Sequence, residues 1–437
     1  MRDLLTTAAY AGIESAKPEK VLRSSITLDD RELRIREEKY DLTLYRSVRL
    51  VALGKAACGM AGVMEDMLGH WIKDGIVITK EGHSVPLKIS DIYEASHPLP
   101  DDRSVEAAKE LEEFLRSGSQ DDLVIVLISG GGSSLLTSPA KGLSLADIQT
   151  TTDLLLRSGA PIGHLNTVRK HISSVQGGRL AQASLGAQVL VLVISDVLQN
   201  HLDVIASGPF MGDSSSFSDV LRIIDEYDLR DDMPVSVMDE MRRGQEGLIE
   251  ETPEVGDPIF DRVRHFILAD VVTAANAVMM TGKQLGFAVD LIDPAVEGEA
   301  RDVGRRIANR LIDSMRCRKV PFIEIYAGET TVTVQGTGKG GRNQELALSA
   351  ALVLDGIKNV AIASVGTDGT DGPTDAAGAI VDGGTVDRGF QAGLDARAYL
   401  NNNDSYNFLS VTNDLFMTGA TLTNVNDLIL ASGNPRL

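Results

Sequence analysis

The residues best suited to chemistry lie in five short loops rich in glycine, hydroxyl and charge. Gly54-Lys55-Ala56-Ala57 puts one ammonium directly after an apolar run. Ser129-Gly130-Gly131-Gly132-Ser133-Ser134 follows a second run. Three glycines let the backbone turn tightly and offer bare amides to an anion, and the hydroxyls add donors. The third loop is Gly336-Thr337-Gly338-Lys339-Gly340-Gly341-Arg342-Asn343-Gln344-Glu345. Its glycines at 336, 338 and 341 satisfy the G-x-G-x-x-G of dinucleotide folds, but the confirming acid at the end of the next strand is missing. Asp355 has the right separation yet ends a helical stretch before Gly356. The loop is therefore expected to cradle phosphate or carboxylate. Lys339 and Arg342 would add cations beside free amides, and arginine holds oxyanions bidentately.

The fourth loop, Gly366-Thr367-Asp368-Gly369-Thr370-Asp371-Gly372-Pro373-Thr374-Asp375, carries three aspartates. Magnesium takes one or two carboxylates plus phosphate oxygens and water. Asp and Gly also dominate ordinary turns, so both readings stay open. In the fifth, Ser195-Asp196, the carboxylate suits a general base or a metal ligand, and equally a helix cap. No Walker A loop, protein-kinase catalytic loop, H-E-x-x-H or G-x-S-x-G occurs. His97, His164, His171 and His201 lack metal-ligand spacing.

The elements that must position these loops are short apolar runs at residues 49–53, 75–79, 123–128, 189–194, 322–326 and 360–365. Each has the length of a strand buried on both faces. Helical stretches lie between them, such as 102–116, with Val105, Ala108, Leu111 and Leu115 on one face, and 145–157. The alternation predicts α/β architecture with a mostly parallel sheet. Residues 331–335 alternate like a strand. Residues 211–258 are rich in acid, serine, proline and glycine around one helix at 217–227, and read as a connection. A boundary near 260 follows, giving domains 1–260 and 261–437, with 266–270 restarting the alternation.

The chain has 437 residues, enough for two or three domains, with 43% apolar and 24% charged residues. A net charge of −20 opposes nucleic-acid or anionic-membrane binding. An anionic ligand must then be held by a few placed cations, backbone amides and a metal ion. Cys58 and Cys317 are too few for a disulfide framework or structural zinc. No apolar run reaches the length of a membrane span, and a cytoplasmic location is expected.

The loops resemble those of the glycerate 2-kinase family, whose C-terminal half is the MOFRL-type domain. Matching segments include Gly54-Lys55-Ala56, Ser96-His97-Pro98-Leu99-Pro100-Asp101, Ser129-Gly130-Gly131-Gly132-Ser133, Asn166-Thr167-Val168-Arg169-Lys170-His171, Gly177-Gly178-Arg179-Leu180-Ala181, Ser195-Asp196, Gly341-Arg342-Asn343-Gln344-Glu345 and Gly366-Thr367-Asp368-Gly369. The resemblance implies two unlike α/β domains, the first Rossmann-like and the second smaller with a mixed sheet, and an active site in the interdomain cleft. It implies ATP and Mg²⁺, D-glycerate as acceptor and 2-phosphoglycerate as product, in a monomer or homodimer. The lysine and arginine on which members rely map to Lys55 and Arg342. Asp196 and Asp368 are then the candidates for base and metal ligand. Ser129, Gly130, Gly131, Gly132, Ser133, Arg179, Gly338, Lys339, Gly340, Gly341 and Asn343 are candidates for substrate or phosphate binding. Three segments depart from the family pattern. Gln199-Asn200-His201 stands where glycine and acids are usual, Phe210 stands for a threonine, and Gly419-Ala420-Thr421-Leu422 lacks a proline and a glycine. An NAD(P)H-dependent hydroxypyruvate reductase and a non-catalytic sugar-acid sensor are the competing expectations.

Overall fold

A computed structural model describes residues 1–436. Two units divide the chain: Leu22–Leu268, and Met1–Val21 together with Ala269–Leu437.

The unit at 22–268 opens with an antiparallel meander of β1 (Ile26–Asp29), β2 (Glu32–Ile35) and β3 (Glu38–Asp41). Its main sheet contains β4 (Val48–Leu53), β5 (Ile72–Lys80), β6 (Ser90–Ala95), β7 (Leu123–Ile128), β8 (Gln188–Ile194) and β9 (Val263–Ala269). They lie in the order β6-β5-β4-β7-β8-β9. The β4–β5, β5–β6, β4–β7 and β7–β8 pairs are parallel. Both β4 and β7 are buried along their whole length, as covered faces require. Chain order runs outward from β4 on one side and from β7 on the other, so the topological switch lies between them. Helix Asp102–Arg116 is fixed at its start by the Asp101/Ser104 capping box and buries Ala107, Ala108, Leu111 and Leu115.

Residues 211–258 are not a connection. Helices Phe217–Glu226 and Val235–Gln245 pack with Leu145–Arg157 and Ile162–His171 around a core of their own. The polar composition belongs to the outer faces of amphipathic helices, while Val220, Ile223, Ile224, Val237 and Met241 point inward. Residues 263–269 also differ from expectation. They form the edge strand of this first sheet, where Val189 N donates to Arg262 O at 2.9 Å.

The other unit holds β10 (Ala288–Val296), β11 (Phe322–Gly328), β12 (Val360–Gly366), β13 (Gly378–Asp382), β14 (Leu415–Phe416) and β15 (Asp427–Gly433). The order is β10-β11-β15-β12-β13-β14. Only β10–β11 is parallel, so the sheet is mixed. Helix Arg2–Ser15 belongs here rather than with the first sheet. It packs on Val271–Gln284, where Gly12 lies close to Val278. Helices Ala300–Cys317 and Arg342–Leu354 cross at Gly304, whose missing Cβ lets the backbone of Leu346 approach. Residues 331–335 are extended but form no strand beyond one bridge, Glu299 to Thr331. Their amides go to side chains instead, as Thr333 N donates to Glu299 Oε1 at 3.1 Å. Among the described residues, no helix is long and apolar enough to cross a membrane.

Candidate functional site

In open α/β sheets ligands bind beyond the carboxyl ends of the strands, at the switch point. Here that point is flanked by the loops after β4 and β7. Leu53 pairs with Ile128 and Ile128 with Val193, so Lys55, the 129–133 loop and Asp196 emerge at one edge of the sheet. The first two loops are tied directly. Lys55 N donates to Gly130 O at 2.9 Å, Ser129 N to Leu53 O at 3.0 Å, and Ala56 N to Ser129 Oγ at 3.0 Å. Gly131 has φ +87°, and a Cβ there would meet Lys55 Cγ at 3.2 Å and His97 Nε2 at 3.2 Å. Glycine is therefore required by both conformation and space, and the lysine stem crosses the loop. Gly132 is held close to Ala206, 2.6 Å from a notional Cβ.

Ser129 is 1% exposed and acts as a strut between strand ends. Ser133 faces a cavity of about 420 Å³ also lined by His97, Ser134, Arg169 and Gln176. Its Oγ accepts from Ser207 Oγ at 3.0 Å, and its carbonyl accepts from Gln176 Nε2 at 3.0 Å. Arg179 donates from Nε to Ser173 O at 2.9 Å, behind this cavity. Asp196 is half-buried after β8, outside the cavity lining.

In the unit containing 269–437, Arg342 opens helix Arg342–Leu354 and makes a two-point contact with Asp427. Nε donates to Oδ2 at 2.6 Å and Nη2 to Oδ1 at 3.1 Å, and Nη1 lies 2.8 Å from Glu329 Oε1. Asp427 is 2% exposed at the start of the central strand β15. Burial raises its carboxyl above the usual range, opposed by Arg342, while the acids around Arg342 hold the guanidinium firmly cationic. Asp371 is buried beside them and accepts from Asn343 N at 3.1 Å and Gln344 N at 2.9 Å. Burial and the Asp427 charge push its pKa up to about 6. Asp368 and Asp427 both approach Gly366, each with an oxygen about 3.5 Å from a notional Cβ there. The site is thus one guanidinium among several carboxylates.

Across 336–341, where a cradle of free amides is expected, the amides as far as Lys339 are committed within the unit. Five successive amides are already used. Gln335 N and Gly336 N donate to Asn403 Oδ1 at 2.8 and 2.9 Å, and Thr337 N to Asn402 Oδ1 at 3.1 Å. Gly338 N donates to Asn402 O at 3.0 Å and Lys339 N to Asp404 Oδ1 at 2.8 Å. Gly336 and Gly338 are glycine because the 402–404 backbone presses against them, and Gly341 because Asp371 does. Gly340 faces Ser405 in the same way. Lys339 extends over the Tyr406 ring, its Nζ 4.3 Å from the centroid. Asn343 serves Asp371 and accepts from Ser364 Oγ at 2.6 Å.

No group of three or more His, Cys, Asp or Glu placed to hold a metal is found among the described residues. Magnesium on nucleotide phosphates needs only one or two carboxylates, so the half-buried Asp196 and Asp368 suit it chemically. Sequence reasoning gave no role to Arg169, which lines the cavity, or to Asp427 and Glu329, which face Arg342. Asp427 looks like a plain strand start, and the acid opening the apolar run 428–431 was the only signal.

Fold and loops together define a two-unit α/β protein with a glycine- and hydroxyl-rich loop at the switch point of a parallel sheet and an arginine–carboxylate cluster on a mixed one. Comparisons with known proteins narrow this class. Residues 4–242 match the family described as a domain of unknown function, DUF4147, and residues 322–427 match the MOFRL family. The chain is 43% identical over 415 residues to the D-glycerate 2-kinase of Thermotoga maritima, spanning 94% of this chain and 96% of that one. It is 40% identical over 423 residues to the glycerate 2-kinase of Pyrococcus horikoshii, spanning 96% and 94%. The crystal structure of a Thermotoga maritima glycerate kinase superimposes with a TM-score of 0.86 at 40% identity, covering 99% of both chains. The chain belongs to the glycerate kinase family.

Proposed function

We propose that this protein transfers the γ-phosphoryl group of ATP to the C2 hydroxyl of D-glycerate, giving 2-phosphoglycerate and ADP. The observation that carries the reading is the meeting of Lys55, the 129–133 loop and Asp196 at the switch-point edge of the first sheet. The names of the relatives supply the acceptor.

Phosphoryl transfer asks little covalent chemistry of a protein; it asks for alignment and charge neutralisation. The C2 oxygen attacks the γ-phosphorus while the bond to the β–γ bridging oxygen breaks, and the hydroxyl proton passes to a carboxylate. Lys55 places an ammonium against the phosphate charge, and the amides around Gly131 and Gly132 add donors. Arg342, kept cationic and fixed from behind by Asp427, holds oxyanion charge through its guanidinium. Asp196 and Asp368 are the candidates for two duties: one would orient the acceptor hydroxyl, and one would hold Mg²⁺, which when bound would offset charge on the nucleotide.

The test is ADP release from ATP in the presence of D-glycerate and Mg²⁺, beside NADH absorbance with hydroxypyruvate. The reading predicts glycerate-dependent ADP and a flat NADH trace. NADH oxidation without ADP release would replace the kinase by a reductase.

A further inference from the structure

Apart from Gly131 and Ser133 of the 129–133 loop, the 420 Å³ cavity beside that loop is built from residues to which the reaction above assigns no role. Ser133, Ser134 and Arg169 give its lining polar groups, next to Gly131 and the crossing Lys55 stem. Pro98, Leu99, Ile148 and Leu156 give it apolar wall. Ile148 is 6% exposed, whereas Leu99 is 67% and Leu156 54% exposed, so apolar surface lies open at the rim. A pocket of this size with apolar walls and few convergent polar groups is the usual form of a small-molecule site.

Arg169 differs from the buried cations of this unit that have acids beside them: Arg49 pairs with Asp74 at 2.8 Å and Lys170 faces Asp213 at 3.4 Å. Arg179, also sheltered and without an ion pair, donates instead to Ser173 O. Arg169 has no ion pair with any described acid, and its side chain is desolvated with no compensating charge, which lowers its pKa. The one acid on the rim, Asp153, already pairs with Arg157 at 2.9 Å. A half-buried guanidinium facing a cavity without a carboxylate beside it has donors to offer an incoming anion.

We propose that this cavity is the nucleotide subsite, with Arg169 and Ser133 binding phosphate oxygens and the wall of Pro98, Leu99, Ile148 and Leu156 covering the base. The proposal rests on the kinase reading above. A three-carbon hydroxy acid fills little of this volume and has no flat apolar face to set against that wall. A nucleoside phosphate has both an anionic end and such a face, and the lining supplies a complement to each.

The probe is ADP. Its affinity is measured by calorimetry for the wild type, Arg169→Ala and Leu156→Glu, and KM is determined separately for ATP and for D-glycerate. Leu156 is exposed, so its replacement leaves the core intact and places an acid where the base should lie. Both variants should weaken ADP binding by tenfold or more and raise KM for ATP in step, with KM for D-glycerate within twofold of wild type. Unchanged ADP affinity in either folded variant, or a rise confined to the KM for D-glycerate, overturns the subsite. Failure of the kinase reading shows separately, as a wild type that releases no ADP with D-glycerate, and direct ADP binding still decides the subsite in that event.

Discussion

Lys55 and Arg342 sit in different settings, and their substitutions should separate accordingly. Lys55 belongs to a loop held by backbone bonds that do not use its side chain, namely Lys55 N to Gly130 O and Ala56 N to Ser129 Oγ. Lys55→Ala should cut kcat by about 10²-fold or more and leave the melting temperature near wild type. Arg342→Ala should lose activity too, and also about 1–2 kcal/mol of stability, because it strands Asp427. The figure is modest because the guanidinium is partly open to solvent. Chemical denaturation beside steady-state rates checks both, and an Arg342→Ala protein as stable as wild type would remove Asp427 from the account. Asp371 supplies a pH test. Its folded pKa of about 6 lies above the unfolded value, so the folded form holds the proton more tightly. Its contribution favours folding at low pH and is lost as pH rises through about 6. Relative to Asp371→Asn, the wild type should lose about 2 kcal/mol between pH 4 and pH 7. A pH-independent difference between the two would refute it.

At the scale of elements, the decisive clamp is the 402–404 turn on the 335–339 loop. Asn403 accepts from two amides and donates Nδ2 to Glu345 Oε2 at 2.9 Å, tying the loop to helix Arg342–Leu354. Asn403→Ala should therefore cost roughly 1–3 kcal/mol and loosen the start of that helix. Loss of amide-exchange protection at 335–345 is the measurement, and retained protection would deny the clamp its role. This turn also shows where sequence reading stops. The glycines and cations of 336–342 were legible as an anion loop, but the acceptors that occupy its amides lie more than sixty residues away and leave no local mark. Strands β4, β7, β8, β11 and β12 were legible because a strand buried on both faces reads as an unbroken apolar run. Residues 331–335 had the period of a strand and lacked only a neighbour to pair with. Lys55 was legible from its place at a strand end. Asp427 was not, since nothing in the residue type says that it faces Arg342.

For the whole molecule, the question is how an acidic chain of net charge −20 handles polyanionic reactants. On the proposed reading the answer is local: Lys55 at one sheet edge, Arg169 without a paired acid in the neighbouring cavity, and Arg342 paired with the buried Asp427 in the other unit. The reading of 211–258 as a connection failed for a reason of the same scale. Those helices bury their apolar faces in a cluster that also includes Leu145–Arg157 and Ile162–His171, and composition alone does not reveal partners so distant in sequence. Phosphorus NMR of the product from D-glycerate, ATP and Mg²⁺ tests the central claim most directly. The account predicts one new phosphomonoester resonance, coupled to the C2 proton of glycerate, growing in step with ADP. Coupling to the C3 protons, or inorganic phosphate in place of any ester, would contradict it.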